Sequence, residues 1–104
     1  MIVVLFRSRL TADAGADYQE MAAEMFSTAK DMPGFVDFKT FHAEDGERIS
    51  IVRWQDQVTL AAWRNHPRHR IAQQTGRARW YQSYKIEIAE VIRDASFERM
   101  ATGA

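Results

Sequence analysis

The strands this chain encodes have no face to give to water. Ile2-Val3-Val4-Leu5-Phe6 is apolar without a break and then alternates to Leu10, which reads as a β-strand over 2–10. A sheet wetted on one side carries a polar residue at every second position. Here Ile2, Val4 and Phe6 share one face of the first strand while Val3 and Leu5 fill the other. Phe35 to His42 reads as a second strand, with Phe35 and Phe41 on one face and Val36 and Phe38 on the other. Arg48 to Trp54 is a third, Ile49 and Ile51 set against Val52 and Trp54. Helices cover one face of a small sheet, so something else must cover the second. A chain of 104 residues holds one domain, and its simplest cover is a copy of itself. An obligate homodimer, sheet against sheet, is expected.

Between the first two strands, Tyr18, Met21, Ala22, Met25, Phe26 and Ala29 recur at helical spacing. They predict an amphipathic helix over 13–32, capped by Thr11 or Asp13 and stopped by Pro33-Gly34. Ala43-Glu44-Asp45-Gly46 is turn chemistry that closes a hairpin. Asp56 can cap a helix to Arg64, and Asn65 can cap a second that starts at Pro67 and runs to about Arg79. Tyr81 to Arg93 reads as the last strand. Its apolar phase (Tyr84, Ile86, Ile88) breaks at Glu90, so a β-bulge is expected near Ala89. The order β-α-β-β-α-β is a twofold strand-helix-strand repeat over 1–43 and 47–93. It implies an α+β, ferredoxin-like domain with a four-stranded antiparallel sheet and its helices on one face. The domain is assigned to 1–97, with a polar tail over 98–104.

Composition removes several functions. Lys and Arg total 14, as do Asp and Glu, so there is no surplus of positive charge with which to coat nucleic acid or an anionic membrane. There is no cysteine, hence no disulfide, thiolate metal site or thiol nucleophile. The five glycines form no G-x-G, so neither a dinucleotide fingerprint nor a P-loop is present. No apolar run is long enough to span a bilayer, and a cytoplasmic location is expected. The charges are segregated, however. Thr11 to Glu47 carries nine carboxylates against Lys30 and Lys39, and Gln57 to Ile86 carries six basic residues and no acid. This pattern reads first as two solvated helix faces of opposite sign, and alternatively as a basic stretch that meets an anionic ligand or the acidic stretch of a second copy.

What chemistry remains centres on Trp63, which follows the small residues Ala61 and Ala62 on a helix that must lie on the sheet. Small residues beside a large ring leave space under a helix. A small-molecule pocket is expected there, walled by Trp63, Phe6, Phe26 and Met25, with Ser8, Asn65 and the histidines as polar contacts and the hydroxyl of Tyr84 facing either the pocket or the partner chain. His66 and His69 are three apart and share a helix face. They lack a third metal ligand nearby, so their use is as a general base or anion site near neutral pH, with no metal. His66 has the advantage of standing at a helix start, where an anion is welcome.

The run Trp54-x8-Trp63-Arg64-x-His66-Pro67-x-His69-x2-Ala72-Gln73-x2-Gly76-Arg77, followed by Trp80-Tyr81-x2-Tyr84 and Val91-x-Arg93, resembles the antibiotic biosynthesis monooxygenase family over residues 1 to about 97. The resemblance implies a dimeric α+β barrel and places Trp63 in the pocket. It further implies oxidation of a small electron-rich aromatic, quinol- or anthrone-like, by O₂ with no cofactor. His66 or His69 would be the base, and Trp63, Asn65 and an arginine the donors. Relatives that degrade haem are matched less well: Ser8 and Gln73 stand where those relatives have an Asn and the iron-ligating His, and an amide is a poor axial ligand. A non-enzymatic binding or sensor domain on the same scaffold is the alternative.

Overall fold

The computed structural model describes residues 1–100, so positions 101–104 of the expected tail lie outside the described residues. The elements are β1 (Ile2–Leu10), α1 (Ala16–Ala29), β2 (Phe35–His42), β3 (Arg48–Trp54), α2 (Gln57–Arg64) and α3 (Pro67–Thr75). A π-helical segment, Gly76–Trp80, then leads into β4 (Tyr81–Glu90). The strands lie in the order β2-β3-β1-β4, every neighbouring pair antiparallel. This is the ferredoxin-like α+β sheet that the element order implied.

Local chemistry fixes most of the boundaries and corrects several expectations. The first helix begins at Ala16, with Gly15 at its N-cap and no side chain closing it. Thr11 is used elsewhere: its hydroxyl donates to the Arg79 carbonyl at 2.9 Å and its N–H to the Trp80 carbonyl at 2.8 Å. After α1 the chain reverses at Gly34, whose φ of +84° is open only to glycine at low cost. Asp56 caps α2 as expected, accepting the Thr59 N–H at 2.8 Å in a reciprocal capping box. Asn65 closes α2 instead of opening α3. The cap of α3 is His66, whose side chain accepts the Arg68 N–H, with Pro67 in the first turn. Beyond Thr75 the helix widens into the π-helical segment and does not run on as regular α-helix to Arg79.

Two bulges set which residues face which way. Along β1 the pairing is in step from Ile2 opposite Glu90 to Arg9 opposite Ser83, and then Leu10 faces Tyr81, so the extra residue is Gln82. The irregularity expected near Ala89 is therefore at the other end of β4, and Glu90 continues the face of Ile88. A second shift leaves Val36 unpaired, so Phe35 joins Phe38 on one face and is separated from Phe41. The strand also stops at Glu90, short of Arg93.

The helices lie on the face of the sheet that carries Ile2, Val52 and Trp54. There Ala29, Leu60 and Trp63 complete a buried cluster with Trp54, which is wholly removed from water. An indole in that position is worth several kcal/mol, so Trp54→Ala would cost about 3–5 kcal/mol. The opposite face presents Val3, Leu5, Ile49 and Ile51, half-buried, and Phe41, exposed. After Glu90 the chain continues to residue 100 without regular structure, and Ile92, Phe97 and Met100 there are almost fully exposed. Among the described residues no helix is long and apolar enough to cross a membrane.

Candidate functional site

Between the helices and the inner face of the sheet lies a cavity of about 420 Å³. It exists because the α1 and α3 residues that look into it, Ala22 and Ala72, are too small to fill the space, whereas its walls are large and flat: Phe6, Phe38, Trp54, Trp63, Trp80 and Tyr81. Phe6 meets Tyr81 edge-on, centroids 5.4 Å apart, and Tyr84 at 5.6 Å, so the aromatic wall is continuous along β1 and β4. Tyr81 is turned inward by the bulge at Gln82. In an unbroken strand, positions three apart point to opposite faces, and Tyr81 and Tyr84 would not both line the cavity.

The titratable groups on the cavity wall are few: His69, three tyrosines, Arg64 and Arg77, with no carboxylate. His69 stacks on Trp63 with centroids 4.4 Å apart and planes 21° from parallel, and its Nδ1 is buried without a hydrogen-bond partner. Burial holds its pKa below 6.5, and the carbonyls of Arg64 and Trp63 offset only part of that. The ring is consequently neutral at pH 7, the state in which an imidazole can accept a proton. Burial likewise pushes the Tyr81 phenol well above the ordinary tyrosine value, the Tyr18 hydroxyl acting in the same sense, so Tyr81 remains an O–H donor. Tyr18 accepts from Arg48 Nη1 at 2.8 Å.

The π-helical segment is tied down at its C-terminal end. Trp80 Nε1 donates to Asp17 Oδ2 at 3.2 Å, Arg79 pairs with the same oxygen at 2.6 Å, and Thr11 holds the backbone. Those donors, the Trp80 indole foremost, hold the Asp17 carboxyl below the usual range. Gly76 is buried there, and a Cβ on it would strike the Tyr81 ring. Widened helical turns of this kind are frequent at functional sites, and this one delivers Arg77, Trp80 and Tyr81 to the cavity.

The residues singled out from sequence divide. Trp63, His69, Phe6 and Tyr84 line the cavity together with Met25. His66 does not: it touches Trp63 from outside, centroids 5.8 Å apart, and its Nδ1 lone pair is occupied at 3.1 Å by the Arg68 N–H. Ser8 is buried between Arg48 and Tyr84 in the sheet, off the cavity. Asn65 is exposed and accepts from Arg70 Nη2 at 3.0 Å. Phe26 is 41% exposed and packs on the outer side of α1, against Phe35 and Phe38. Sequence reasoning missed Tyr81, Trp80, Trp54 and Phe38 as walls. A helical-wheel phase for 67–80 could not have found Trp80, since the phase changes within the π-helical segment, and the bulge at Gln82 hides Tyr81 from the strand period. Among the described residues, no three His, Asp or Glu side chains gather as a metal-binding group.

The comparisons with known proteins agree with this architecture. The family model for antibiotic biosynthesis monooxygenase matches residues 1–75. The uncharacterized protein YqjZ of Bacillus subtilis (strain 168) is 34% identical over 91% of this chain and 82% of its own length. The jasmonate monooxygenase ABM of Pyricularia oryzae is 24% identical over 98% of this chain, which spans only 50% of that protein. Among solved structures, a variant of SnoaB, a cofactor-independent oxygenase from Streptomyces nogalater, superposes with a TM-score of 0.76. The match covers 89% of this chain and 94% of that one at 16% identity, a likeness of fold.

Proposed function

The chain belongs to the antibiotic biosynthesis monooxygenase family, and on that premise we propose that it oxidises a small electron-rich aromatic, quinol- or anthrone-like, with O₂ and no cofactor. The observation that carries the reading is the cavity's chemistry. Its walls are aromatic, it has no carboxylate, and its one imidazole is held neutral by burial. O₂ is a triplet and reacts slowly with closed-shell molecules, so the substrate must first become an anion able to give up an electron. His69 is the base in this reading: it takes a proton from the ring hydroxyl or the activated C–H. A site free of negative charge, with the Tyr81 hydroxyl as donor and two guanidinium groups on the wall, favours the resulting phenolate or enolate.

The balance needs nothing further. The anion gives one electron to O₂, the substrate radical and superoxide combine into a C–O bond, and the peroxide takes up the proton held by His69. Loss of water across the O–O bond then converts a CH₂ to a C=O, so one oxygen atom stays in the product and the other leaves as water. The protein supplies position, a base and a dry site. An oxygen electrode tests this with anthrone as substrate: the parent should consume O₂ in proportion to quinone formed. A protein that binds anthrone and consumes none is the sensor domain of the alternative reading.

We further propose that the working unit is a homodimer closed over the outer sheet face. Support comes from Val3, Leu5, Ile49, Ile51 and Phe41, which form an apolar surface that no helix or strand among the described residues covers.

A further inference from the structure

The basic stretch noted in the sequence is not spread evenly once folded. Arg68 is paired with Glu24 at 2.5 Å, Arg79 with Asp17 at 2.6 Å, and Lys85 stands 4.0 Å from Glu87. Part of the acidic half of the chain is therefore already neutralised within the molecule. Arg70 is directed to Asn65. The side chains of Arg64 and Arg77 make no hydrogen bond or ion pair among the described residues. These two also share a location: both line the aromatic cavity and both line a second, polar groove of about 340 Å³ with Asn65, Arg70, Gln73 and Gln74. The groove and the cavity share Arg64, Gln73 and Arg77, so the groove is the outer continuation of the cavity and meets it at these residues.

We propose that the substrate is an acid: its aromatic body occupies the cavity and a carboxylate on it is held at the entrance by Arg64 and Arg77. Guanidinium forks match a carboxylate in shape and charge, and these two stand exposed at the mouth of the cavity with no carboxylate paired to either. The acid group also fixes which end of the body enters first, so it selects the ring carbon that meets His69. This inference rests on the cavity being the substrate site, and it needs no turnover to be tested.

Anthraquinone carboxylate and its carboxamide have the same body and differ in charge, and both should quench the tryptophans of the cavity wall. Titrations followed by tryptophan fluorescence should show the carboxylate binding roughly tenfold more tightly than the carboxamide to the parent protein, a margin that narrows at high salt. The double variant Arg64→Gln, Arg77→Gln should lose most of that margin while holding the carboxamide within about twofold. Arg53→Gln, which removes a positive charge from the other face of the sheet, should change neither. Equal affinities in the parent would overturn the proposal. So would a double variant that weakens both ligands alike, or an Arg53→Gln variant that weakens the carboxylate as much as the double one, since general charge would then be the cause. If neither ligand quenches, the cavity is not the substrate site, and the proposal fails together with the reading beneath it.

Discussion

The two histidines separate by what each lone pair is doing. His66 Nδ1 is committed to the first turn of α3, whereas His69 Nδ1 is buried and unclaimed. His69→Gln should therefore lower the rate of anthrone oxidation by roughly 10²–10⁴-fold with little change in melting temperature. His66→Ala should do the reverse, leaving the rate near that of the parent and costing about 0.5–2 kcal/mol in a urea melt for the lost cap. Sequence could place both residues on one helix face but could not rank them, because the ranking depends on where α3 begins. A start at His66 consumes one imidazole as a cap, and a start capped by Asn65 would have left both free. The depressed pKa of His69 also has a sign in stability. The unfolded chain binds its proton at a higher pH than the native protein does, so this group favours folding above about pH 6.5 and the advantage fades as pH falls below it. The parent should lose more melting temperature than His69→Gln between neutral pH and pH 5.5, and the acid limb of its rate profile should follow the same titration.

At the scale of elements, the sequence was legible wherever one period ran unbroken. All four strands, the αβ order and the capping of α2 by Asp56 follow from periods of 2 and 3.6 and from turn residues. What escaped were the three places where the period changes. Val36 turns Phe35 into the core, Gln82 turns Tyr81 into the cavity, and the π-helical segment rotates Trp80 inward. Each shifts the phase by a residue, and local composition does not announce such a shift. Phe26 shows the cost: its spacing puts it on the apolar stripe of α1, yet the stripe is wider than the cavity and Phe26 falls at its outer margin. Gly76→Ala tests the tightest of these places. The new methyl group would have to displace the Tyr81 ring, so we expect a loss of about 1–3 kcal/mol by thermal or urea unfolding and weaker binding of any aromatic ligand.

For the molecule as a whole, the uncovered face makes a clear demand. Light scattering at micromolar concentration should return about twice 12.0 kDa, and Ile51→Glu, a charge placed in the middle of the apolar outer face, should shift that mass toward the single chain. A monomeric parent would remove the dimer from the reading and leave the cavity untouched, because the cavity is built from one chain. That independence has its origin in β1, where consecutive side chains answer to different masters. Val4 and Phe6 touch whatever occupies the cavity, and Val3 and Leu5, which alternate with them, never meet it. A lineage carrying this strand can exchange its even positions for a new occupant of the cavity while its odd positions keep the outer face as it is, and neither history need constrain the other.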